Sequence, residues 1–362
     1  MTTNRPPILE SAPLGPRWPC LDPFLFCAHH DDSYPASNGK MGVQAVEFEG
    51  REMGSDFSAR DGFSMYHGEP IPGFPGHPHR GFETVTLVRK GRIDHADSLG
   101  AAARFGGGDV QWLTAGKGIQ HSEMFPLLSS DQPNPLELFQ IWLNLPARNK
   151  MVEPHFTMFW NEQIPRASFS DAAGKKTTVT VIAGSLAGAD KALTPPPESW
   201  ASQNGSDVAI WTLELEPGAR WTLPKATGAD THRMLYFFVG KSMTVGGEAV
   251  NGHKALHVDA HSDIELVNTS DVTAELVLLQ GKPIGETVSQ YGPFVMNTQQ
   301  EIMQAMQDYR RTQFGGWPWA ESDPVHGPEA RRFARYPGQT QDEVPSPVAA
   351  PGMACITPCD PR

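Results

Sequence analysis

Short apolar runs set between glycine-rich and proline-rich turns dominate this chain, and few stretches show the stripe of an amphipathic helix. Phe82 to Arg89, Asp109 to Leu113, Leu138 to Leu143, Thr177 to Ala183, Ala209 to Leu215, Met234 to Phe238 and Leu276 to Leu279 each read as a strand. Several alternate polar with apolar positions or carry β-branched residues, which suit a pleated surface. Between Pro146 and Gly174 the pattern weakens and predicts a linker with a few extended residues. A second set of strands follows and runs to about Gly281. The β material therefore falls into two halves, with no close sequence repeat between them.

One helix stands out. Thr298-Gln-Gln-Glu301 has the spacing of a capping box, in which the hydroxyl and the carboxylate satisfy the first free amides. Ile302, Met303, Met306 and Tyr309 then form an apolar stripe that would lie against a barrel. Past Phe314, the stretch Gly-Gly-Trp-Pro-Trp and the proline-rich close predict irregular structure, with a flexible or surface-draped tail from about residue 337. The expected organisation is all-β: an N-terminal unit over 1–150, a linker over 151–174, a second unit over 175–290, a helix and packing segment over 291–320, and an irregular tail over 321–362.

Composition narrows the function classes. With 29 Lys and Arg against 41 Asp and Glu, the formal net charge is −12, which disfavours direct binding of nucleic acid. No apolar run is long enough to span a membrane, and the first residues lack the apolar core of a secretory signal. Cys20, Cys27, Cys355 and Cys359 form neither a disulfide framework nor a CxxC pair, so a reducing cytoplasm is expected.

The informative chemistry lies between Gly73 and Pro126. His77-Pro-His79 and His121-Ser-Glu123 each place two ligand types two residues apart, on one face of an extended segment. Two neighbouring strands offering these pairs would build a three-His, one-carboxylate site in a barrel mouth. An octahedral ion held there would keep two positions open for water, substrate or dioxygen. Such a set suits Fe(II) best, with Mn, Ni, Cu or Zn as alternatives. Glu83 rivals Glu123 for the carboxylate, because an even spacing from His77 would put it on the same face; Glu123 is preferred for its place beside His121. Glu83 then reads as a group supporting the ligands or as a buried structural carboxylate.

The run His77-Pro-His79-Arg-Gly-Phe-Glu83-Thr-Val, with Gly108-Asp-Val-Gln-Trp112-Leu-Thr-Ala-Gly116-Lys-Gly118-Ile-Gln-His121-Ser-Glu123-Met, resembles the signature of the pirin family. The resemblance extends weakly through Leu138 to Pro146 and Gly292 to Trp319. It implies a bicupin, two double-stranded β-helix (jelly-roll) barrels facing each other, with non-haem iron in the N-terminal one held by His77, His79, His121 and Glu123. The second half agrees in having no H-x-H pair. His232, His253, His257 and His261 read as hydrogen-bonded or solvated, although His257 and His261 would share a face on a strand. Two features depart from shorter family members: the long tail, and Cys27-Ala-His29-His30-Asp31-Asp32, read as a solvated loop with a role near the site entrance as the alternative. Tyr66-His67-Gly68 reads as a turn at the barrel rim that could line the pocket, and His95 as a turn residue.

Two function classes follow from the resemblance. One is an oxygenase of the quercetin (flavonol) 2,3-dioxygenase type, taking a flavonol-like substrate and dioxygen, with Glu123 doubling as ligand and proton acceptor. The other is a redox-sensing co-regulator that acts on a protein partner through its iron.

Overall fold

The computed structural model describes residues 5–346. Every stretch read above as a strand is one, generally longer by a residue or more at one or both ends. Two five-stranded antiparallel sheets form the first barrel. One runs, in spatial order, His155–Phe159, Asp109–Thr114, Phe82–Lys90, Asn134–Asn144 and Phe24–Tyr34. The other runs Phe333–Arg335, Ala102–Phe105, Ile93–Asp97, Ile119–Met124 and Gly73–His79. The second barrel pairs a seven-stranded sheet, with Ile8–Pro13 at one edge and Arg166–Ser170 at the other, with the four-stranded sheet Arg220–Leu223, Ile264–Asn268, Ser242–Val245 and Glu248–Asn251.

Side-chain alternation sorts the residues among three cores. On Phe82–Lys90, Val85 and Leu87 point into a core shared by the two barrels, while Val88 belongs to the core inside the first. Val110, Trp112, Phe139, Ile141 and Leu143 join the shared core from the first barrel, and Ile210, Met234, Tyr236, Val277 and Leu279 meet them from the second. Each such side chain, fully buried, stabilises the fold by about 1.5–3 kcal/mol before entropy is counted. The two barrels are therefore fixed against each other by a shared hydrophobic core.

The stretch from Pro146 to Gly174 contributes an edge strand to each barrel: His155–Phe159 pairs with Asp109–Thr114, and Arg166–Ser170 with Lys176–Ala183. The helix spans Gln299–Thr312, and its capping box forms with Thr298 and Glu301 as expected. Ile302 and Ala305 bury its inner face against Phe294 and Met296, with Met306 and Tyr309 beside them; Met303, read into the same stripe, is exposed.

The segment beyond Phe314 is ordered by specific contacts with the first barrel. Phe333–Arg335 pairs with Ala102–Phe105, and Glu343 bridges to Ala334 and accepts from the Trp160 indole at 2.6 Å. Trp319 Nε1 donates to the Asp97 carbonyl, and Ser322 accepts from the Gly76 amide. A lack of periodicity in the sequence thus conceals a strap, because these contacts use single side chains and carbonyls rather than a repeating pattern. Cys355 and Cys359 lie outside the described residues.

Candidate metal centre

Gly73–His79 and Ile119–Met124 are antiparallel neighbours, with His77 opposite His121. The pleat then sends His77, His79 and His121 to one side, with ring centroids 4.5 to 4.9 Å apart. Their ligand nitrogens fall within 4.8 Å of one another, the one such group of His, Cys, Asp and Glu among the described residues. Glu123 stands next to them, its Oε2 3.9 Å from His121 Nε2. Thr86 Oγ1 donates to its Oε1 at 3.2 Å and Gln140 Nε2 to its Oε2 at 2.8 Å.

The tautomers suit a metal. The carbonyl of Pro75 can only accept, so His77 carries its proton on Nδ1 (2.9 Å) and leaves Nε2 with a lone pair. His79 is held in the same sense, more loosely, by the Pro293 carbonyl at 3.4 Å. His121 is fully buried, yet neither ring nitrogen has a hydrogen-bond partner. Leaving a buried polar group unpaired costs about 1–3 kcal/mol, and a metal–nitrogen bond would remove that cost. Burial lowers His77 to about 4 and puts His79 and His121 well below the usual imidazole range, so all three are neutral and able to ligate. These residues fit a divalent metal.

Glu83 is not part of the centre. Its strand begins after the turn at Arg80 and Gly81, where Gly81 takes φ +86°, and that turn resets the side-chain parity counted from His77. Glu83 faces the seam between barrels, where Thr114 Oγ1 and Ser199 Oγ donate to it at 2.7 and 2.5 Å. It is a buried structural carboxylate, pushed up to about 7 by burial against the pull of those hydroxyls.

Other expectations are corrected. His29 to Asp32 lie within the strand Phe24–Tyr34, paired with Asn134–Asn144, and do not form a solvated loop. His29 stacks on Phe139 in the seam and bonds Glu137, while His30 and Asp32 turn the other way, into a cavity. His95 sits in the strand Ile93–Asp97, fully buried, stacked on Phe156 and 5.5 Å from the His121 ring. Its side chain shares the barrel interior with Glu123, opposite it in register. Tyr66 lines the cavity, as its position near the rim allowed. In the second barrel, His257 is on the strand Lys254–Val258 but His261 lies beyond its end, so the two do not share a pleated face.

The cavity has a volume of about 670 Å³ and reaches His77, His79 and Glu123 at its floor. Aromatic rings make up much of its wall, among them Phe26, Phe57, Phe74, Phe125 and Trp142. Gln140 and Trp142 escaped the sequence reading as site residues; their alternation along Leu138 to Leu143 was the available signal.

Comparison with known proteins places these features in context. The profile of the family described as Pirin matches residues 15–143, and that described as Pirin C-terminal cupin domain matches residues 210–315. A Pseudomonas aeruginosa protein named "Putative quercetin 2,3-dioxygenase" is 36% identical over 290 residues, covering 76% of this chain and 93% of that protein. Human Pirin is 33% identical over 258 residues, covering 70% and 81%. A crystal structure of quercetin 2,3-dioxygenase from Acinetobacter baumannii superposes with a TM-score of 0.64 at 25% identity, covering 85% of this chain and 98% of that one.

Proposed function

Since this chain belongs to the pirin family, we propose that its first barrel is a mononuclear metal centre that oxidatively cleaves a flavonol-like enolic substrate with dioxygen. The observation that carries the reading is the fully buried, unpartnered His121 beside His77 and His79, the latter two lining a cavity whose size suits a three-ring aromatic ligand. His77, His79, His121 and Glu123 would hold the ion, with Fe(II) the best match to this donor set. Bound there, the metal would supply Lewis acidity and open positions at which two reactants meet.

The protein's own groups do the rest. The aromatic wall stacks a planar ligand and keeps water from it. Thr86 and Gln140 hold the Glu123 carboxylate in one orientation, and Glu123 takes the proton of the substrate hydroxyl as that oxygen approaches the centre.

The test is metal analysis of the purified protein followed by anaerobic Fe(II) loading and a flavonol-plus-dioxygen assay. About one iron per chain, with dioxygen uptake that His121→Ala abolishes, is the expected result. One metal per chain with no turnover of any flavonol would transfer the assignment to a metal-dependent regulator. Failure to bind metal under any loading would overturn the centre itself.

A further inference from the structure

The side of the cavity formed by Phe24–Tyr34 carries a second polar constellation that the metal centre does not use. Asp32 Oδ1 accepts from the Ser64 amide at 2.8 Å, and its Oδ2 accepts from the Tyr66 hydroxyl, also at 2.8 Å. With its proton committed to Asp32, the Tyr66 oxygen can only accept from His30 Nδ1, 2.7 Å away. That contact fixes the proton of His30 on Nδ1 and leaves a lone pair on Nε2. Among the described residues no protein group bonds His30 Nε2, and His30 lines the cavity.

Two further features single out this relay. Tyr66 adopts φ +58°, a left-handed conformation that is strained for a bulky residue. Backbone bonds in both directions with Asp56, at 2.7 and 2.8 Å, hold it there, so the strain is maintained at the place where the hydroxyl reaches both Asp32 and His30. The Phe74 ring, moreover, has His30 on one side and His77 on another, at 6.1 and 6.3 Å between centroids. His30 thus belongs to the same chamber as the metal ligands, one aromatic ring removed from them.

We propose that His30 is a ligand-recognising residue: its Nε2, kept as an acceptor by the Tyr66–Asp32 relay, takes a hydrogen bond from a hydroxyl of the bound polyphenol other than the one directed at the metal centre. Tyr66 and Asp32 are positioning residues that act through His30. An acceptor fixed in one orientation on a wall rich in aromatic rings orients a planar ligand that stacking alone would leave free to slide or flip. It also discriminates by hydroxylation pattern, because a ligand without the matching hydroxyl leaves the ring nitrogen unpaired. The inference rests on the flavonol reading of the cavity.

The experiment uses the full chain loaded with Zn(II), which is redox-silent, so that binding is measured without turnover. Quercetin and 3-hydroxyflavone are titrated by fluorescence; the second keeps only the hydroxyl directed at the metal. His30→Leu is expected to weaken quercetin about tenfold while 3-hydroxyflavone binds within about twofold of wild type, the size of one lost hydrogen bond to a ligand. Long-range proton–nitrogen NMR of the same protein should show His30 as the Nδ1–H tautomer, losing that preference in Tyr66→Phe. Equal weakening of both ligands, unchanged quercetin affinity, or an Nε2–H tautomer in the wild type would overturn the role of His30 and leave the flavonol reading standing. If wild type binds neither compound, the flavonol reading falls and this inference falls with it.

Discussion

The amide of Gln140 donates to Glu123 Oε2 across 2.8 Å, while its own oxygen accepts from Thr86 Oγ1 at 3.0 Å. The single Thr86 hydroxyl proton is shared between that oxygen and Glu123 Oε1 at 3.2 Å, so the adjacent strands Phe82–Lys90 and Asn134–Asn144 together hold a carboxylate carried by the other sheet. The carboxylate next to the three histidines is therefore oriented before any ion arrives. Gln140→Leu removes the donor and keeps comparable bulk. It should weaken metal binding by about 10–100-fold, the usual cost of losing a group that supports a ligand. Competition against a chromogenic chelator measures this directly.

Metal removal should lower thermal stability, because an ion that binds the folded chain stabilises it by mass action. At a free metal concentration of 100 Kd the gain is about 2.7 kcal/mol. In His121→Ala the metal-dependent rise in Tm should disappear. Calorimetric scans with and without chelator, run on both proteins, make the comparison.

Glu83 makes a pH prediction of definite sign. Its folded pKa of about 7 lies above the unfolded carboxyl value, so the folded state holds the proton more tightly. Its contribution is fully present below the unfolded pKa and is lost as pH rises through 7. Between those limits stability should fall with rising pH, by up to about 3 kcal/mol from this group. Glu83→Gln, which stays neutral and can still accept from Thr114 or Ser199, should flatten that slope. Urea midpoints measured from pH 5 to pH 8 would show it.

The strap over the first barrel should matter to the metal although, among the described residues, it makes no hydrogen bond to the side chains of His77, His79, His121 or Glu123. His326 Nε2 donates to the His95 carbonyl at 2.8 Å, and its backbone amide donates to Asp94, which also pairs with the buried Arg104. Trp319 and Ser322 fasten the neighbouring strands. Truncation after Gly316 should lower Tm and speed loss of the ion to chelator severalfold, since it frees the strands behind His121 and Glu123. Dissociation kinetics of the loaded protein provide the measurement.

What the sequence disclosed followed from periodicity. His77, His79 and His121 could be brought together because two-residue spacing survives wherever a strand is continuous. The parity argument for Glu83 failed because one turn at Gly81 intervenes, and a count of residues does not register a turn. His29 to Asp32 were misread for a different reason. Their strand has polar groups on both faces, one toward the cavity and one toward Glu137 in the seam, so it shows no hydrophobic alternation. The strap was invisible because its anchors are isolated tryptophan, histidine and arginine side chains meeting carbonyls and carboxylates more than 200 positions away.

The strands at the two ends of the described chain are exchanged. Ile8–Pro13 lies on the second barrel, and Phe333–Arg335 lies on the first. During synthesis, the barrel that emerges first cannot receive Phe333–Arg335 until the whole second barrel and the helix have left the ribosome. Meanwhile Ile8–Pro13 waits for Lys254–Val258. The half that carries the His77, His79 and His121 cluster is translated first and finished last, so its complete form belongs to the end of biogenesis.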